Sequence, residues 1–137
     1  MRLNDITGNL PALFSALLVS ILFIQSGLDK VFDWKGNLDW LTGHFSKTFL
    51  ATLVPVMLVI ITWMELLTGL VAIIGMFYLL ETGSTLLIFF ASSLGAATLT
   101  ALFFGQRVAK DYAGAAILVP YFILLLIMMY LSKSSSQ

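Results

Sequence analysis

The stretch 48–80, TFLATLVPVMLVIITWMELLTGLVAIIGMFYLL, carries a single charged side chain, Glu65. A straight helix over all of it would be roughly 50 Å long at ~1.5 Å per residue, more than the ~30 Å hydrocarbon layer of a bilayer requires. Apolar residues occupy every side of that helix, so no face is left for water, and lipid is the solvent that such a surface tolerates. Pro55 lacks a backbone donor and fits the first turn of a helix. The expected span is therefore 55–78, tilted, with Phe49 to Val54 leading into it.

Three more apolar segments flank this one. Leu10 to Lys30 is preceded by Asn9, an N-cap type, and carries Pro11 in its first turn. Glu81-Thr82-Gly83 is the polar break before a third span at 84–104, which predicts an antiparallel hairpin with a tight connection. Gly105 to Asp111 leads to a fourth span at 112–132, kinked near Pro120 and followed by a serine-rich tail. Between the first two spans, 31–47 mixes charges with Phe32, Trp34, Trp40 and Phe45, as expected of a partly helical segment at headgroup depth. The expected fold is all-α: an integral membrane four-helix bundle with short loops, a single transmembrane domain over 1–137.

Composition supports this. Of 137 residues 60% are hydrophobic and 10% charged, too few polar groups to cover a soluble core. Seven basic residues balance seven acidic ones without a basic run, which argues against nucleic acid as a partner. Cysteine is absent, so this chain supplies no thiolate ligand and no thiol exchange. The start MRLNDITGNL has no basic patch of the secretory type, so the first apolar run is expected to stay as a helix. Four crossings put Arg2 and Lys133 on one side and Lys30, Lys35, Lys47, Arg107 and Lys110 on the other, favouring termini on the non-cytoplasmic side, in a prokaryotic inner membrane.

The third span is rich in small residues. In ASSLGAATLTA, Ala91 and Gly95, Ser92 and Ala96, and Ser93 and Ala97 stand four apart, a face on which another backbone can come close. This places the third helix at the bundle centre.

Glu65 is the residue that most needs an explanation, since an ionised carboxylate facing lipid costs several kcal/mol. It must be paired, protonated or turned to a cavity, or else act as a hydrogen-bonded packing residue. Thr62, Thr68 and Gly69 share its face. On the first helix Gln25 and Asp29, and Ser26 and Lys30, stand four apart; Lys30 either partners an acid or snorkels to the interface. Arg107 and Asp111 are also four apart, with Lys110 and Gly114 on a neighbouring face, which either stabilises a helix start or serves a site. The first and third loops lie on one membrane side, so Lys30, Arg107 and Lys110 are expected to form a cationic mouth above Glu65. Such a mouth suits a polar head group such as a quinone carbonyl or a lipid phosphate. His44 is the sole histidine and is expected on the loop surface; no metal-ligand spacing, nucleophile–base pair or nucleotide fingerprint accompanies it.

SGLDKVFDW at the end of the first helix and WMELLTGLVAIIG in the second resemble the DoxX family of small four-helix membrane proteins, over most of the chain. The resemblance falls on Gly27, Lys30, Glu65 and Gly69. It implies a four-helix bundle, and because the family is named for a subunit associated with thiosulfate:quinone oxidoreductase, it implies a place in a quinone-linked redox complex. The expectation that follows is an accessory subunit of a larger membrane complex, noncatalytic by itself and bound to other membrane subunits and lipid. The alternative is a component that binds quinone or lipid at Glu65, with Lys30 or Arg107 as donors and no covalently held cofactor. A proton or small-solute transporter ranks third, because four short helices leave little room for alternating access.

Overall fold

The structure is a computed structural model that describes residues 3–133. Helix α1 (Leu3–Gly8) is a short lead-in that the sequence pattern did not single out, and α2 (Leu10–Phe32) is the first long helix. Asp33 alone, at φ −127° and ψ 54°, separates α2 from α3 (Trp34–His44). A 3₁₀ turn at Ala51–Leu53 then feeds α4 (Val54–Thr82), followed by α5 (Leu86–Val108) and α6 (Tyr112–Lys133). Among the described residues α2, α4, α5 and α6 are long and apolar enough to cross a membrane, so the chain is an all-α, membrane-spanning bundle.

Two helix ends differ from the pattern-based expectation. The second span continues to Thr82 rather than stopping near 78. It ends where Gly83 takes φ 77° and its N–H donates to the Leu79 carbonyl at 2.8 Å, a left-handed cap that closes the helix one turn later than hydropathy indicates. The third span runs to Val108 rather than 104, because Gly105, Gln106 and Arg107 continue the helix as its polar last turn. At its other end the Thr85 hydroxyl donates to the Ser132 carbonyl at 2.5 Å, tying the start of α5 to the end of α6. Helix α6 continues through Pro120.

The helices pack in the cyclic order α2–α4–α5–α6, with α2 against α4 as the most extensive contact and α6 closing more loosely onto α2. The small-residue helix is therefore one member of the ring and not a central post. Ala91, Ser92, Gly95 and Ala96 are buried as expected, whereas Ala97 is exposed. The core is built from Val19, Phe23, Ala72, Leu79, Ile88, Leu125 and Met128.

Two glycines set the α2–α4 register. A Cβ at Gly27 would lie 2.6 Å from Leu66 Cδ2, and one at Gly69 would lie 3.0 Å from the Ile24 backbone nitrogen. Only hydrogen fits at either point, so the backbones meet closely in an antiparallel pair. That register brings the end of α2 level with Ile61, so Val54–Ile60 projects past it by roughly 10 Å at ~1.5 Å per residue. Helix α3 packs against this overhang. Phe45, Leu50 and Val54 form a small second core there with Leu38, Leu41 and Met57.

Candidate functional site

Helix side chains lean toward the N-terminus of their own helix. Lys30 stands in the last turn of α2, so that lean carries its ammonium back into the bundle and not out to the interface. Its Nζ lies 3.1 Å from Ser26 Oγ and 2.8 Å from Glu65 Oε1. The Glu65 side chain is 3% exposed and that of Lys30 is 17% exposed, so the acid is sealed inside and the cation forms the boundary. The approach to Oε1 misses hydrogen-bond alignment, which leaves Oε1 held by charge attraction without an aligned donor. The threonines on the same face do not supply one. The Thr62 hydroxyl donates to the Leu58 carbonyl and that of Thr68 to the Met64 carbonyl, each at 2.7 Å.

On the open side of Lys30 lies a half-open cavity of about 260 Å³. Its apolar wall comes from the projecting turns of α4 (Met57, Leu58) and Ile61 just below them, from Leu102 on α5 and from Leu118 on α6. Its polar points are Lys30, Asn37, Trp40 and Gln106, and Lys30 is the one charged residue that lines it. The cavity follows from the length mismatch: α2 stops, α4 and α5 continue, and α3 roofs the space left over.

The roof is fastened by His44. Its Nε2 lies 2.8 Å from Gln106 Oε1 and 3.9 Å from Asp111 Oδ2, and its ring stacks on Trp40 with centroids 4.4 Å apart. This corrects the loop-surface expectation for His44, which is half-buried and bridges α3 to the α5–α6 turn. Asp111 in turn accepts from the Gly114 N–H at 2.9 Å, as the N-cap of α6.

The expected cationic mouth is not assembled. Arg107 is exposed, with its guanidinium 4.4 Å from the Tyr112 ring centroid, and so is occupied by a cation–π contact at the surface. Lys110 is exposed in the turn, its backbone left-handed at φ 62°. Gln25 and Asp29 are exposed on α2, because the helical stripe they share points away from the face carrying Gly27 and Lys30. None of these lines the cavity. Of the candidate residues, the structure brings together Lys30 and Glu65, and adds Asn37, Trp40 and Gln106. The last three lie on two separate polar segments, and a shared membrane side was the only sequence signal that connected them. Among the described residues no cluster of three or more His, Asp or Glu side chains is placed to hold a metal ion.

No family model, no curated protein and no solved structure matches the chain.

Proposed function

We propose that the chain binds the head of an amphipathic membrane molecule, of the quinone or lipid-head type, in the cavity beside Lys30. The carrying observation is a buried ion pair whose cationic end faces a small, mostly apolar cavity roofed by an amphipathic helix. A cavity with an apolar wall and a few convergent polar groups is the usual form of a small-molecule site. Asn37 already donates to the Asp33 carbonyl at 2.8 Å, whereas Lys30, Trp40 and Gln106 carry further N–H donors, so the complementary ligand presents oxygen acceptors. Glu65 holds Lys30 in place from inside the bundle, its Oε1 2.8 Å from the Lys30 Nζ.

The test is calorimetric titration of a tailless benzoquinone into the protein in nanodiscs. Loss of one charge-assisted hydrogen bond is worth about 1.5–3 kcal/mol, so Lys30→Met should weaken binding by roughly 10–100-fold. Gln106→Leu, which leaves the ion pair intact, should weaken it by about tenfold or less. Unchanged affinity in both folded variants would refute the site.

A second reading, an accessory subunit docked to a larger membrane complex, is supported by α6. Within an 18-residue apolar stretch of its span 17% of the residues are buried, against 33–39% for such stretches in the other three spans. The resemblance of Gly27, Lys30, Glu65 and Gly69 to the DoxX pattern is compatible with both readings, and the two glycines and the ion pair lie on one contact. Crosslinking mass spectrometry in native membranes should recover a stoichiometric partner through α6; a lone monomer would end this reading. With Lys30 paired inside, Lys35, Lys47, Arg107 and Lys110 still stand at the cavity end. By the positive-inside rule that end faces the cytoplasm.

A further inference from the structure

The face of α2 turned away from the bundle carries a regular pattern. Phe14, Leu18, Ile21, Gln25, Leu28 and Phe32 follow one another in alternating steps of four and three residues, and all six are exposed. Such steps average 3.5 residues, the repeat that keeps one line of side chains in contact when two helices pair with a left-handed crossing. The buried line Ala12, Ala16, Val19 and Phe23 runs two residues earlier, on the opposite face. Asp29 falls one residue off the exposed line and Lys30 two, so no charge lies on it, and none of its members lines the cavity beside Lys30.

Gln25 is the polar member of that line. The contacts of Gly27 with Leu66 and of Gly69 with Ile24 set Gln25 level with Thr68, the middle residue of α4. It also stands seven residues before Phe32 at the end of α2, roughly 10 Å along the axis, and the lean toward the N-terminus carries its side chain deeper still. Hydroxyls in the spans close onto their own helix, as where Ser15 donates to the Pro11 carbonyl and Thr100 to the Ala96 carbonyl. A carboxamide carries two donor hydrogens and an acceptor oxygen, and among the described residues that of Gln25 has no hydrogen-bond partner. Acyl chains offer it none, and an unmet polar group in hydrocarbon is costly.

We infer that this face of α2 pairs with a second copy of the chain, the two Gln25 carboxamides hydrogen-bonding to each other in the contact. Copies inserted in one orientation are related by a twofold axis along the membrane normal, so their α2 helices run parallel and each residue of the line meets its own counterpart. The partial charges then complement one another. The N–H of each amide faces the oxygen of the other, a match that a carboxamide makes with itself and that an apolar helix cannot return. Ile21 and Leu28, on either side of Gln25, shield the pair from lipid.

The experiment uses the full chain in liposomes, with the monomer–dimer equilibrium read by single-molecule photobleaching over a series of protein-to-lipid ratios. The chain has no cysteine, so one introduced at exposed Lys47 carries the label. The expected result is a dimer whose dissociation constant rises roughly tenfold or more in Gln25→Leu, while Gln25→Asn, which keeps an amide, pairs more tightly than Gln25→Leu. Disulfide trapping with Gln25 left in place is the second measurement. Ile21→Cys and Leu28→Cys should trap dimers, and Ile74→Cys on the exposed face of α4 should not. A wild-type chain that stays monomeric at every density overturns the pairing, as does an assembly of three or more copies. Gln25→Leu pairing as tightly as wild type, or trapping no stronger at 21 and 28 than at 74, overturns it as well.

Discussion

Replacing Lys30 by Met should destabilise the bundle more than replacing Glu65 by Leu, and replacing both should cost less than either. Breaking a buried ion pair by removing one partner costs about 3–5 kcal/mol, because the survivor is left uncompensated in a low dielectric. The survivors differ here. Without Glu65, Lys30 keeps the Ser26 hydroxyl at 3.1 Å and an opening to the cavity, which puts Glu65→Leu near the lower end, about 3 kcal/mol. Without Lys30, the Glu65 carboxylate is 3% exposed and Oε1 has no aligned donor, which puts Lys30→Met near the upper end, about 5 kcal/mol. If independent, the two would sum to about 8 kcal/mol, yet the double variant leaves no orphan charge and should lie within about 2 kcal/mol of wild type. Steric trapping in bicelles measures these free energies in a bilayer-like medium. Single variants within about 1 kcal/mol of wild type, with effects that simply add in the double variant, would refute the claim that Glu65 is sealed inside the protein with Lys30 as its partner.

Three further outcomes are expected. Gly69→Leu should lower stability by about 1–3 kcal/mol, because its Cβ would press on the Ile24 backbone nitrogen, which cannot rotate away; thermal melts followed by tryptophan fluorescence report it. Gly83→Val should cost about 1–2 kcal/mol through its φ of 77°, with faster hydrogen exchange confined to the α4–α5 turn. His44→Ala removes the Gln106 bond and the Trp40 stack, and at roughly 1–1.5 kcal/mol should speed exchange in 34–44 by about tenfold while the spanning helices stay protected.

The four spans were legible because lipid imposes a simple rule on sequence: about twenty apolar residues with internally satisfied backbone. Helix ends were less legible, since Gly83 ends α4 by conformation and Gln106 and Arg107 extend α5 with polar residues that hydropathy reads as loop. Glu65 stands out because a carboxylate within an apolar helix demands an explanation, and Lys30 because, four residues after Ser26 at the end of an apolar helix, it is a natural partner for an acid. Arg107 and Lys110 were misplaced because charge says where a residue can be stable but not which way its backbone turns it. A left-handed Lys110 and a nearby Tyr112 ring settle that, and neither is visible in spacing. His44 and Gln106 are 62 residues apart, and their bond depends on how α3 folds over the end of α2.

The direction taken by Lys30 decides more than its charge does. A lysine near the end of a spanning helix lowers its energy cheaply by reaching outward to water. Outward reach works best when the residue sits at the helix start, because side chains lean toward the N-terminus. Lys30 sits at the opposite end of its helix, where the same lean points it inward, and Gly27 one turn earlier lets α4 approach closely enough for Glu65 to meet it. The cation is thus held below the projecting turns of α4, and α3 closes over the space. A lysine at 34, one turn later and beyond Asp33, would stand on the interfacial helix and leave Glu65 without a partner. The cavity and its ionic floor are therefore two consequences of a single feature, the early end of α2 relative to α4.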